Sequence, residues 1–278
     1  MMNPWVETIG VILVAVLGVC LGRVFSRFRG PYWMVGYFLS FVVVAALLAG
    51  RCVGSLGVMR HFAWVIAGRI KFVVLCLATT VGITTPLSRL PRRSEKIIVS
   101  ILMAVVVFWF SVCPFLFPAL IKGRLLKLRT TVDPAGVCYQ TTNYTCAPAA
   151  AVTALRGLGL AAEEGEIAVL SRTSPMTGTL PWCLYKALKE RYGPEGLECQ
   201  YRQFDCVEQL RDAKFTLVAV KDVFLSDHCV AVLDISDEMV TVADPVGGRK
   251  LLSHEQFEKM WRFSGISLQR EEGASVFD

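Results

Sequence analysis

Hydrophobic and polar positions follow two regimes along the chain. Up to about residue 130 the apolar stretches are long and rarely interrupted by charge, and beyond it they shorten to the lengths of ordinary helices and strands. Ile97 to Ile121 is a run of 25 uncharged residues, enough to cross about 30 Å of hydrocarbon at about 1.5 Å per residue. Pro114 and Pro118 fall in its last third, where neighbouring helices can satisfy the freed carbonyls. Tyr32 to Gly50 gives 19 uncharged residues, opened by the interface-type pair Tyr32 and Trp33 and closed by Arg51. Thr8 to Gly22 is shorter, and Trp5 with the border residue Glu7 extends it to the interface. A fourth span is expected from Phe72 to Ser88, beyond Arg69 and Lys71, because a cation at a helix centre costs about 2.5–3.5 kcal/mol. Those two cations are expected at the headgroups rather than in an intramembrane ion or lipid site.

A turn-rich junction, Thr131 to Val137, separates a transmembrane region at 1–130 from a domain at 131–278. Helices are expected at Ala147 to Leu158, Glu163 to Ser171 and Leu180 to Tyr192. Strand-type composition follows at Leu197 to Arg202, Phe215 to Lys221, His228 to Ile235 and Met239 to Asp244, with short helices at Cys206 to Ala213 and Ser253 to Arg262. Helices first and antiparallel strands second is an α+β plan.

Composition sharpens this division. The chain is 54% hydrophobic and 19% charged, against roughly 45–50% and about 25% for a soluble domain, which excludes a wholly soluble protein. Residues 1–130 carry 15 Lys/Arg and 2 Asp/Glu, whereas residues 131–278 carry 14 and 21. The acidic second half argues against nucleic acid as a partner. The chain opens without the positive stretch of a cleaved secretory signal, so the first helix is expected to stay. Arg23, Arg27 and Arg29 after the first span, with Arg89, Arg92, Arg93 and Lys96, favour a cell-membrane protein whose second half is extracytoplasmic; Lys122, Arg124, Lys127 and Arg129 pull the other way.

Of the ten cysteines none forms a CxxC pair, so neither a zinc ribbon nor a thioredoxin-type site is indicated, and no metal or cofactor is called for. Cys146 stands at the entrance of an Ala-rich helix with Pro148 in the first turn, where unpaired N–H groups and the positive helix end favour a thiolate. It needs a base. His228 opens one strand and Asp244 closes the next; a hairpin loop of Ile235 to Asp237 would set them directly opposite, with a carboxylate holding the imidazole and its other nitrogen meeting the thiol. His61 lies in the membrane half, and His254 reads as an ordinary surface residue.

The run Gln140 to Ala150 (QTTNYTCAPAA), the His228 strand and the Asp244-Pro245 strand end together resemble the double-glycine leader peptidases, the bacteriocin-processing branch of the papain-like cysteine peptidases. The resemblance covers roughly residues 137–269. It implies an α+β papain-like domain in which Cys146 is the nucleophile, His228 the general base, Asp244 the orienter and Gln140 an oxyanion-hole donor. Relatives usually have Gly after the cysteine; here it is Ala147, whose methyl is expected to narrow the cleft. Many relatives head an exporter with a nucleotide-binding domain, but this chain has no GxxxxGK[ST], so no ATP binding is expected and the spans read as an anchor.

The leading reading is a membrane-anchored cysteine peptidase acting on a peptide or precursor protein, with cleavage after small residues such as Gly-Gly. The alternatives are a non-catalytic peptide-binding module attached to a separate transporter subunit, and acyl transfer to a nucleophile other than water.

Overall fold

The computed structural model describes residues 4–52, 68–87, 89–223 and 226–270. His61 and Ser88, the expected end of the Phe72 to Ser88 span, lie outside them. The chain forms two compact units, Met1–Leu120 and Ile121–Asp278.

The first unit contains α1 (Pro4–Ser26), α2 (Met34–Cys52), α3 (Ile70–Leu87) and α4 (Arg93–Val107), which runs through a π-helical turn at Phe108–Val112 into α5 (Cys113–Leu125), whose last residues from Ile121 on belong to the second unit. Among the described residues four helices are long and apolar enough to cross a membrane: Pro4–Ser26, Gly30–Ala49, Ile70–Leu87 and Arg93–Leu125. The π turn lies just ahead of Pro114, where the missing proline N–H breaks the regular ladder. Small residues set the packing. A Cβ on Gly18 would lie 1.9 Å from Thr80 Oγ1, one on Gly22 2.7 Å from Thr84 Cβ and one on Gly82 2.8 Å from Ser40 Cβ, so α1 and α2 each approach α3 closely. Arg69 stands just ahead of α3. Its guanidinium pairs with Glu7, donates to the Pro114 carbonyl at 2.7 Å and lies 4.3 Å over the Phe115 ring, leaving 12% of the side chain exposed. At the opposite helix ends Arg89 donates to the carbonyls of Ser26 and Phe28, at 3.1 and 2.9 Å.

The second unit is α+β. A two-stranded ribbon of β1 (Thr131–Val132) and β2 (Cys138–Tyr139) leads into α6 (Cys146–Gly157), α7 (Glu164–Leu170) and α8 (Pro181–Tyr192). The sheet follows: β3 (Leu197–Gln203), β4 (Phe215–Val223), β5 (Ser226–Ile235), β6 (Met239–Asp244), β7 (Gly248–Ser253) and β8 (Trp261–Arg270), with the short α9 (His254–Met260) before the last strand. The six strands are antiparallel in the order β3-β8-β4-β5-β6-β7.

One sheet face packs on α6, whose Ala149, Ala150, Ala151, Val152, Ala154 and Leu155 are all fully buried. A helix apolar on every side belongs in the interior, and alanines let the strands come close. The other face is covered by α9 and by Phe204, Phe257 and Trp261.

β7 and β8 depart from the sequence expectation. β7 is an edge strand whose Arg249, Lys250 and Leu251 are exposed, so it shows no inward alternation, and its opening Gly247-Gly248 reads as a turn. β8 begins where a helix to Arg262 was expected. The capping box of Ser253 and Gln256 does start that helix, but it ends at Met260. Gly265, which looks like a turn signal, sits where a Cβ would come within 2.8 Å of the Leu217 carbonyl on the neighbouring strand.

Candidate active site

Cys146 is the first residue of α6 and half-buried. Thr145 precedes it, fully buried; its hydroxyl accepts from the Thr142 N–H at 3.1 Å and donates to the Thr142 carbonyl at 3.0 Å, which closes the loop ahead of the thiol. Pro148 stands in the first turn, where an N–H would have no intrahelical partner. Ala147 is only 5% exposed and belongs to the α6 core, so the methyl expected to narrow the cleft is taken up largely by packing.

The His228 imidazole is hydrogen-bonded to Asp244, with Nε2 2.8 Å from Asp244 Oδ1, and the Cys146 side chain lies close enough to raise the imidazolium. Nδ1 is then the ring nitrogen left for sulfur. The register that achieves this differs from the expected one. Asp234 pairs with Thr241, and across a bulge between Val232 and Asp234 the ladder sets Val232 opposite Val242 and Ala231 opposite Ala243. Continuing that ladder sets Asp244 level with Val230, two residues from His228. The contact is therefore diagonal; an even offset keeps both side chains on one face, so the hydrogen bond survives the change.

Asp244 is held at three points. Oδ1 also accepts the Val246 N–H at 2.9 Å, and Oδ2 lies 2.6 Å from Lys250 Nζ. Burial works against its charge, but the bonds to His228, Lys250 and Val246 outweigh it and hold the carboxyl well below the usual range. For His228 burial likewise opposes the charge, and the bond to Asp244 and the nearby Cys146 side chain prevail, lifting the imidazolium to about 9. The neighbouring Cys229 is pushed up by burial and by the charge of Cys146. Burial also raises Cys138 to about 12 and Cys199 to about 11. Among the described residues the six domain cysteines form no disulfide.

Gln140 is anchored through its own backbone and through Cys138, two residues before it. The Cys138 N–H donates to Thr153 Oγ1 on α6 at 2.9 Å, and the Gln140 N–H donates to the Pro245 carbonyl, next to Asp244, at 3.0 Å. Its side-chain oxygen is buried without a hydrogen-bond partner among the described residues.

All four residues singled out in the sequence thus lie in one part of the second unit. Lys250 escaped notice because it follows two glycines in what reads as a turn, and Glu164, described below, because an acidic residue at a helix start is commonplace. His254 is tied to the Ser236 carbonyl at 3.1 Å, apart from this group.

A model of the Peptidase C39 family matches residues 135–274, half of the chain, and spans every one of these residues. The chain belongs to the Peptidase C39 family. An uncharacterized protein of Methanothermobacter marburgensis is 29% identical to this Peptidase C39 member over 149 residues, 54% of this chain and 99% of its own length. Among solved structures, the peptidase domain of Streptococcus ComA, a bi-functional ABC transporter involved in quorum sensing, is similar over 52% of this chain and 100% of its own, at 19% identity and a TM-score of 0.42. A double glycine motif protease from an AMS/PCAT transporter, solved with a leader peptide, is similar over 52% and 95%, at 14% identity and a TM-score of 0.39.

Proposed function

We propose that this protein is a membrane-anchored cysteine endopeptidase that cleaves a peptide or precursor protein by a Cys-His-Asp mechanism. The observation that carries the reading is the His228 ring, hydrogen-bonded through Nε2 to Asp244 with the Cys146 side chain beside it. His228 holds the proton of Cys146; the thiolate attacks the scissile carbonyl; the imidazolium protonates the leaving amine; and water, deprotonated by His228, releases the acyl group and restores the thiol. Asp244 fixes the ring and its tautomer. Gln140 and the Cys146 N–H stabilise the oxyanion. The substrate class is a leader-type peptide cut after small residues, as the Gln140 to Ala150 motif implies, and a separate transporter subunit is the partner expected of an anchored peptidase without its own ATP site.

The helix end that carries Arg27, Arg29, Arg89, Arg92, Arg93 and Lys96 faces the cytoplasm in this reading, and four spans return the second unit to the other side. The Arg89 bonds to Ser26 and Phe28 support it by gathering these cations at one end of the helices.

Cys146→Ala and His228→Ala, purified in detergent, are expected to abolish cleavage of a Gly-Gly peptide while remaining folded. Because the two act as a unit, the double variant is expected to be scarcely worse. Iodoacetamide near neutral pH should label Cys146 ahead of Cys138, Cys199 and Cys229, whose thiols burial keeps protonated. Cleavage by Cys146→Ala would end the cysteine mechanism, and peptide binding without cleavage by the wild type would replace it with the binding-module reading.

A further inference from the structure

We infer that Glu164 is a positioning residue for the Gln140 side of the site; the inference rests on the peptidase reading above. Glu164 opens α7 and is completely buried, yet among the described residues it has no cationic partner. A carboxylate taken out of water costs several kcal/mol unless hydrogen bonds replace its solvation. Here both replacements come from Thr141, the residue after Gln140. Its N–H donates to Glu164 Oε1 at 2.9 Å, and its hydroxyl is hydrogen-bonded to Oε2.

The clamp has a second jaw in the segment that follows α5. The Thr141 hydroxyl lies 3.2 Å from the Arg129 carbonyl, and the Glu164 N–H donates to Thr130 Oγ1 at 2.9 Å. A Cβ on Gly165 would come within 2.4 Å of the Leu125 carbonyl, so the absence of a side chain lets this segment lie directly against α7. Tyr144, in the loop that ends at the nucleophile, packs against the cluster of Ile121, Leu125 and Ala168. The Gln140 N–H is tied to the Pro245 carbonyl beside Asp244, but the loop beyond it, from Thr141 to Thr145, is fixed by α7 and by residues 121–130 rather than by the β5 and β6 residues that hold the imidazole.

That separation gives the inference its signature. Loosening Thr141 lets the oxyanion donor wander but leaves the thiol and imidazole paired, so turnover falls while thiol reactivity stays. Glu164→Gln in the full chain is expected to lower kcat about tenfold with KM within about twofold. Its Cys146 alkylation rate should match the wild type, and the amides of residues 140–145 should exchange faster with deuterium. Thr141→Val removes only the hydroxyl and carries the test should Glu164→Gln fail to fold; Thr141→Ser is expected to rescue it. Wild-type kcat with unchanged exchange overturns the inference, as does a kcat loss matched by an equal loss of alkylation. A wild type that neither cleaves nor shows selective Cys146 labelling refutes the peptidase reading instead, and the exchange comparison still decides whether Glu164 holds the loop.

Discussion

Lys250 and His228 hold opposite oxygens of one carboxylate: Lys250 Nζ is 2.6 Å from Asp244 Oδ2, and His228 Nε2 is 2.8 Å from Oδ1. The carboxylate cannot turn without giving up one of them. A lysine on the exposed edge strand β7 thereby fixes the face that Asp244 presents to the imidazole.

Lys250→Met is accordingly expected to reduce kcat about tenfold with little change in KM, because the carboxylate loses its second anchor while the substrate cleft is untouched. Gly247→Ala should act in the same direction by another route. Its Cβ would lie 2.5 Å from Lys250 Cε and Nζ, and the flexible lysine end would move off Asp244. The double variant should then be no worse than Lys250→Met alone. Additive losses measured by steady-state kinetics would show that Gly247 acts elsewhere.

The pH dependence follows from His228. Its imidazolium persists to about 9, so kcat/KM is expected to fall as pH rises through that value and the proton for the leaving amine is lost. Asp244→Asn removes the carboxylate that raises it, and the basic limb should move toward about 6.5, the unperturbed value. The same shift bears on stability. A raised imidazolium contributes stability fully present below about 6.5 and lost as pH rises through about 9. Thermal melts of wild type and His228→Gln should therefore converge above about pH 9. A basic limb unmoved in Asp244→Asn would mean that another group titrates.

Helix packing in the first unit is tested by two glycines of α1. Gly18→Val would drive a side chain into Thr80, whereas a Cβ on Gly10 meets nothing within 4 Å. Gly18→Val is expected to cost about 1–3 kcal/mol, as overpacking does, and Gly10→Val close to nothing. Thermal stability in detergent, with both variants expressed alike, makes the comparison. Equal melting of the two would refute the close approach of α1 and α3.

Sidedness is open to chemical labelling. The Glu255 side chain is 79% exposed, and Glu255→Cys in a background without other reactive thiols should react with an impermeant maleimide in intact cells. Protection in intact cells, with labelling after permeabilisation, would place the second unit in the cytoplasm.

The sequence by itself determined what depends on local composition and spacing. Long uncharged runs bounded by Arg and Trp or Tyr produced four apolar helices, because 20 residues of helix match the thickness of hydrocarbon whatever the neighbours do. The Ala-rich helix after Cys146 and the β5–β6 strands were legible for the same reason: periodicity reports a buried face directly. Cys146, His228 and Asp244 could be singled out from residue type and order, and Gln140 from the family resemblance. Their geometry could not. The bulge at Val232 and the offset of Asp244 depend on how β5 and β6 lie against each other, and a register change by two leaves the hydrophobic alternation of both strands unchanged. β8 lies between β3 and β4, although it is last in the chain, and only that placement explains Gly265. Glu164 and Thr141 are 23 residues apart, and Lys250 reaches Asp244 across the turn between β6 and β7. Such pairings leave no period in the sequence, because hydrogen bonds between side chains depend on folded distance, and tertiary structure alone brought them into reach.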